Sequence, residues 1–144
     1  MTRKVAIDTA LEFFDDGRYV EELSRRAAIR TESQKPEQRP ELYRNLEDEI
    51  ATAFEAMGHE CWVYENPEDG KGSVLLATRI EDEALPTVLG YGHGDVIRGL
   101  EDQWNEGLSP WETVRDGNCL YGRGTADNKG QHTINMNAVR IALE

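Results

Sequence analysis

Apolar residues recur at helical spacing in four parts of the chain. Residues three, four and seven positions apart lie on one face of an α-helix, so each of these stretches predicts an amphipathic helix. Gly17 separates the first two, and Gly58 ends the third, as expected where a chain must leave the helical conformation. The four predicted helices cover residues 7–14, 19–29, 40–57 and 129–144.

Between the third and fourth helices the pattern changes to short runs of strand-forming residues. Residues 61–64 and 74–80 flank Asn-Pro and Asp-Gly dipeptides, which predicts an antiparallel hairpin. A second hairpin is predicted over residues 113–121, around Asp116-Gly117. Residues 87–91 form a nearly continuous apolar run, typical of a strand that is covered on both faces.

These elements predict an α/β fold in which helices flank a mixed sheet, a three-layer αβα arrangement. The 144 residues suit a single domain with a sizeable core. Residues 96–111 lack a clear period and predict a long loop that carries Trp104 and Trp111, and long ordered loops are often functional.

Composition narrows the possible partners. The net charge of −12 argues against nucleic acids and anionic membranes, because both require a basic surface. Cys61 and Cys119 lie far apart in sequence, which favours two unpaired thiols in a reducing compartment. The N-terminus shows neither a signal peptide nor a long apolar run, so we expect a cytoplasmic protein.

A glycine-rich stretch, Tyr121 to Gly130, precedes the last helix and contains Asp127. Asp127 could be a simple N-cap, since aspartate is favoured there. A phosphate-binding loop is the second alternative, but the usual Gly-x-x-x-x-Gly-Lys-Ser/Thr pattern is absent: Asn128 precedes Lys129 and Gly130 follows it. A metal-binding carboxylate is the third.

His93 and Asp95 form a second candidate, at the end of the predicted strand 87–91. Alternate residues of an extended backbone point the same way, so Asp95 could orient the His93 ring, as carboxylates orient histidine ligands of metals. The spacing alone is also compatible with an ordinary surface pair. Its position at the carboxyl end of a strand favours a ligand site.

The two motifs together resemble those of the metallopeptidase and deacylase family that includes aminoacylase, acetylornithine deacetylase, succinyl-diaminopimelate desuccinylase and carboxypeptidase G. That family shows Gly-His-x-Asp-Val, then a Trp and a Pro-aromatic pair, then Leu-Tyr-Gly-Arg-Gly-x-x-Asp-x-Lys-Gly. The matching residues here are Gly92 to Val96, Trp104, Pro110-Trp111 and Leu120 to Gly130.

The resemblance implies a dizinc enzyme, with cobalt or manganese as alternative metals. His93 would bind one zinc ion, Asp127 would bridge both, and Asp95 would hold the His93 ring as a catalytic-site residue without binding metal. The implied reaction is hydrolysis of a small peptide or an N-acyl amino acid by metal-activated water. We expect His132 to be a structural or exposed helix residue, and Arg123 and Lys129 to brace the glycine-rich stretch.

The family also uses a Glu-Glu pair as general base and metal ligand, a further acidic ligand, a late histidine and a lid domain that often carries a dimer contact. After Asp127 this chain has one acid, Glu144. We therefore expect residues 1–144 to be the N-terminal portion of a catalytic domain, inactive alone, within a full-length protein that forms a homodimer. We expect the intact reading frame to continue with a strand that ends in adjacent glutamates.

Two other classes of function remain open at this point. One is a non-catalytic binding module of the same fold. The other is a nucleotide-binding domain that uses the glycine-rich stretch.

Overall fold

The computed structural model describes residues 1–144 and shows five α-helices and two separate two-stranded antiparallel sheets. The predicted α/β class is confirmed. A π-helical segment, Asn45–Ala51, lies between two short α-helices, and short 3₁₀ helices occur at Pro36–Gln38 and Glu101–Gln103. The helices are α1 Arg3–Asp15, α2 Arg18–Ala28, α3 Arg39–Arg44, α4 Thr52–Ala56 and α5 Lys129–Leu143; the strands are β1 Glu60–Tyr64, β2 Val74–Thr78, β3 Val114–Asp116 and β4 Cys119–Tyr121.

Helices α1, α2 and α5 pack against one another and contribute most of the buried apolar side chains. Their positions confirm three of the four predicted helices. None of the helices has both the length and the apolar character needed to cross a bilayer. The buried residues of these helices include Phe13, Leu23, Ala27, Met136 and Ile141.

The third predicted helix is confirmed as a longer helical region that changes its winding in the middle. Pro40 lies in the first turn of α3, where its missing N–H has no helical partner to lose. Gly58 ends the region with φ +78°, a conformation that glycine adopts without strain. The π-helical segment between these ends buries Asn45 as well as Ile50, and the apolar periodicity did not indicate a buried asparagine.

Both predicted hairpins are confirmed. Strands β1 and β2 pair in a register that places Trp62 opposite Leu76, and β3 and β4 pair with Val114 opposite Tyr121. The β1–β2 hairpin packs on the π-helical segment, and β1 also contacts α4. Parallel pairing is limited to a single bridge between Glu32 and Val96.

The predicted buried strand at residues 87–91 is wrong for this structure. Val88, Leu89 and Tyr91 are 93%, 90% and 83% exposed, and the segment has no strand conformation. A strand covered on both faces needs neighbouring strands to pair with its backbone, and each sheet here contains only its own two strands. The apolar composition predicted burial, but no partner strand lies beside these residues.

Candidate metal centre

The structure brings the two sequence motifs together at His93. Its Nδ1 atom lies 3.0 Å from Asp95 Oδ1 and 3.2 Å from the Asp95 carbonyl oxygen. Its Nε2 atom lies 3.2 Å from Asp127 Oδ1. The backbone N–H of His93 also donates to Asn128 Oδ1 at 3.2 Å. The imidazole is therefore held between one carboxylate of its own motif and one from the glycine-rich stretch.

This arrangement fits two ligands of one zinc ion. Two ligand atoms about 2.0–2.1 Å from a tetrahedral zinc ion are about 3.3 Å apart, close to the separation of His93 Nε2 and Asp127 Oδ1. With Nδ1–H donated to Asp95, the Nε2 lone pair is free for a metal. The Asp127 side chain is 87% exposed, so its second oxygen is open to a further ion.

The ligand set is incomplete within these residues. No group of three or more histidine, cysteine, aspartate or glutamate side chains gathers at a position that could hold a metal. Zinc sites normally use at least three protein ligands. His93 and Asp127 thus fit zinc as a partial set, and their roles as metal ligands stay a prediction.

The glycine-rich stretch folds into a tight loop that presents Asp127. The Gly130 N–H donates to the Gly124 carbonyl at 3.1 Å, which closes the loop on itself. A Cβ at Gly130 would overlap the carbonyl of Thr125, so a larger residue does not fit there. The residue that precedes α5 is Asn128, and its side chain makes no capping hydrogen bond. Asp127 is therefore not the N-cap of α5.

Lys129 braces the loop from the inside, as expected from the sequence. Its side chain is buried, and Nζ donates to the carbonyls of Arg26 at 2.9 Å and Ile29 at 2.7 Å, at the end of α2. Burial lowers the pKa of the Lys129 ammonium to about 7. Because the amine is buried and already bonded to two carbonyls, it is not presented to a phosphate, which argues against the nucleotide-binding alternative.

Arg123 braces the long loop of residues 96–111 through Gly99. The Gly99 carbonyl accepts hydrogen bonds from Arg123 Nη2 at 3.1 Å and from Trp104 Nε1 at 2.8 Å, and the guanidinium lies over the Trp104 ring. The Gly99 N–H donates to Glu32 Oε1 at 2.8 Å. The tryptophan of the family motif therefore packs and hydrogen-bonds within the loop.

His132 is a structural residue, as expected. Its ring lies on the backbone of Gly92, where a Cβ would be only 2.5 Å from the ring atom Cδ2. Burial, with further contributions from Arg26 and His93, lowers the pKa of His132 to about 4. A neutral imidazole thus packs directly under the residue that precedes His93.

Sequence reasoning missed two polar residues that contact Gly94, between His93 and Asp95. The hydroxyl of Thr31 donates to the Gly94 carbonyl. The amide of Asn45 packs so closely that a Cβ at Gly94 would overlap it. Both side chains are buried, but they belong to helical or connecting regions far from the motifs in sequence. No sequence pattern marks either one as a neighbour of the site.

Comparison with known proteins finds a family that matches the part of the chain with both motifs. Residues 89–144 match the model of peptidase family M20/M25/M40. The resemblance to the dizinc metallopeptidase family is confirmed. The matched region contains both motifs, and the N-terminal helices and the first hairpin lie outside it.

Two solved structures resemble the chain over nearly its whole length. Human carnosine dipeptidase 1 has a TM-score of 0.82 and 28% sequence identity, with 95% of this chain and 31% of that chain covered. The dipeptidase Dug1p of Saccharomyces cerevisiae has a TM-score of 0.79 and 21% identity, with 96% of this chain and 30% of that chain covered, and it shows the fold alone. The chain therefore spans less than a third of the length of either protein.

Proposed function

We propose that this chain supplies the first part of the metal centre of a zinc-dependent amide hydrolase. The observation that carries the proposal is the contact between His93 Nε2 and Asp127 Oδ1 at 3.2 Å, with the other ring nitrogen held by Asp95. An ordinary surface pair would not require a carboxylate on each side of the imidazole. The family match over both motifs gives the same class of protein.

Each of the three side chains has a distinct proposed role. His93 would hold a zinc ion through Nε2 together with the Asp127 carboxylate, and the exposure of that carboxylate would leave it able to serve a second ion as well. Asp95 accepts the Nδ1–H bond, which keeps the ring in the tautomer that leaves Nε2 free. When bound, zinc would polarise the scissile carbonyl and lower the pKa of water.

We propose a small peptide as the substrate class, with N-acyl amino acids as the alternative. The support is the likeness to human carnosine dipeptidase 1 at 28% identity. The proposal concerns the full-length protein, because a general base and the remaining metal ligands have to come from outside residues 1–144. We propose the cytoplasm as its location, from the N-terminal sequence alone, and a homodimer as its state, because the lid domain of the family that the chain resembles often carries a dimer contact.

A zinc titration of the 144-residue chain tests the metal centre. We expect weak binding, since two ligands are fewer than zinc sites normally use, and we expect it to disappear in His93→Gln and in Asp127→Asn. His59→Gln is the matched control, because His59 packs against Phe54 and is not part of the centre. Binding that survives both site substitutions, or that disappears in the control, would contradict the assignment.

An activity assay tests the reaction class. We expect the zinc-supplemented 144-residue chain to hydrolyse neither dipeptides nor N-acyl amino acids, and the product of the intact reading frame to hydrolyse at least one of these. The activity should be lost in His93→Gln. Zinc binding without hydrolysis in the longer protein would favour the binding module, and ATP or GTP binding without zinc would favour the nucleotide-binding domain.

A further inference from the structure

Residues 29–33, here called the linking segment, follow α2 and lie beside the first motif. The Val96 N–H donates to the Thr31 carbonyl at 2.8 Å, and the Ser33 N–H donates to the Val96 carbonyl at 3.2 Å. The Thr31 hydroxyl donates to the carbonyl of Gly94. The linking segment thus holds the backbone of the first motif at the carbonyls of Gly94 and Val96 and at the Val96 N–H.

The same segment holds the second motif from its other end. The carbonyl of Ile29 accepts a hydrogen bond from Lys129 Nζ at 2.7 Å. Lys129 comes two residues after Asp127, at the first position of α5. The linking segment is therefore hydrogen-bonded to a neighbour of each proposed metal ligand, although it lies outside the region that matches the family model.

We propose that Thr31 is a positioning residue for the metal centre, acting through Gly94 on the direction of the His93 ring. This inference rests on the proposed function. The Thr31 side chain is fully buried, so water cannot replace its hydrogen bond to the carbonyl. Gly94 has no side chain that could fix the orientation of its peptide. It joins His93 to Asp95, the residue that orients the imidazole.

The hydrogen bond from Thr31 to the Gly94 carbonyl links the backbone conformation at Gly94 to the contacts of the His93 ring. Rotation of the Gly94 peptide would displace Asp95 relative to His93, which changes the 3.0 Å contact at Nδ1. That contact favours a proton on Nδ1, and a ring protonated there keeps the Nε2 lone pair for the ion that His93 and Asp127 would share. If Thr31 only stabilised the fold, its substitution would leave the tautomer of His93 unchanged in the protein that stays folded.

Three substitutions of Thr31 separate a role in positioning His93 from a role in stabilising the fold. Thr31→Ser keeps the hydroxyl, Thr31→Cys has a weak donor, and Thr31→Val keeps the shape without a donor. The readout is the pair of ¹⁵N imidazole signals of His93 in the metal-free chain, assigned with His93→Gln and recorded at a pH where the ring is neutral. Ile141→Val is the matched control for lost stability, because Ile141 is buried near the far end of α5.

We expect Thr31→Ser and Ile141→Val to keep the parent's proportion of the Nδ1–H tautomer, and Thr31→Val to shift the ring toward the Nε2–H tautomer, which can donate to Asp127 instead. If Thr31→Val does not fold, Thr31→Cys compared with Thr31→Ser gives the answer. The proposal would be overturned if the His93 signals do not change in Thr31→Val, or in Thr31→Cys where Thr31→Val does not fold. It would also be overturned if Thr31→Ser shows an equal change. A change of the same kind in Ile141→Val would overturn it as well.

Zinc affinity provides the second readout. We expect Thr31→Val to weaken zinc binding about tenfold, the lower end of the effect of removing groups that orient metal ligands, and Thr31→Ser to bind as the parent chain does. If the parent chain binds no zinc, the proposed function fails, whereas the imidazole signals still decide the role of Thr31. Equal zinc affinities for Thr31→Val and the parent chain would count against the positioning role.

Discussion

Acidification is expected to destabilise the metal-free protein through His132. The His132 ring packs on Gly92, and burial is the largest cause that lowers its pKa from 6.5 to about 4, followed by the charges of Arg26 and His93. In the unfolded chain the ring recovers its ordinary pKa. Between these two values the unfolded state binds more protons than the folded state, so stability is fully present above the unfolded pKa and decreases as the pH falls toward the folded one.

The magnitude follows from the size of the pKa shift. A shift from 6.5 to about 4 corresponds to a free-energy difference of at most about 3.4 kcal/mol. Of this, about 2.4 kcal/mol would be lost between about pH 7 and about pH 4.5. His132 is partly accessible to solvent, and screening reduces the expected loss to about 1–2 kcal/mol.

Urea unfolding at a series of pH values measures this loss. The comparison is between the parent chain and His132→Gln, which cannot take up the proton. Carboxylates that titrate in the same range contribute to both proteins and cancel in the difference. His59→Gln is the matched histidine control and should keep the pH dependence of the parent. An identical pH dependence in His132→Gln and the parent would refute the argument.

Two further substitutions test the packing around the site. Gly92→Ala is expected to destabilise the protein by about 1–3 kcal/mol, because the new Cβ meets the His132 ring. Adding His132→Ala to the same chain should relieve most of that loss. If the stability losses of the two substitutions simply add in the double variant, the contact is contradicted. Trp104→Phe is expected to lower the free energy of unfolding by about 0.5–1.5 kcal/mol, because the hydrogen bond to the Gly99 carbonyl is lost. Trp62→Phe, at a half-exposed strand position, should lower it less. Equal losses of stability in the two variants would count against a contribution from the Trp104 hydrogen bond.

Local elements were predictable because their causes are local. Helices α1, α2 and α5 follow from apolar residues that repeat with the helical period. The second hairpin forms where its glycine-containing turn predicts it, although the two turn residues are Gly117 and Asn118, one position later than the Asp-Gly dipeptide indicated. In each case the residues that determine the element lie within the element or directly beside it.

The apolar run at residues 87–91 shows where this reasoning stops. Its composition favours a strand, yet strand conformation depends on hydrogen bonds to a neighbour, which the segment itself cannot supply. Within residues 1–144 no neighbouring strand is present, and its apolar side chains remain exposed.

The sequence by itself determined the helices, the hairpins and the candidate identities of His93, Asp95 and Asp127, since these depend on short-range patterns and motifs. The family resemblance implied that His93 and Asp127 serve the same metal centre, whereas the 3.2 Å contact between the His93 ring and Asp127, across 34 positions of the chain, is visible only in the tertiary structure. The tertiary structure also decided that Thr31 supports the site. A hydroxyl that reaches a carbonyl 63 positions away leaves no periodic trace in the sequence, because the contact depends on how separate elements pack.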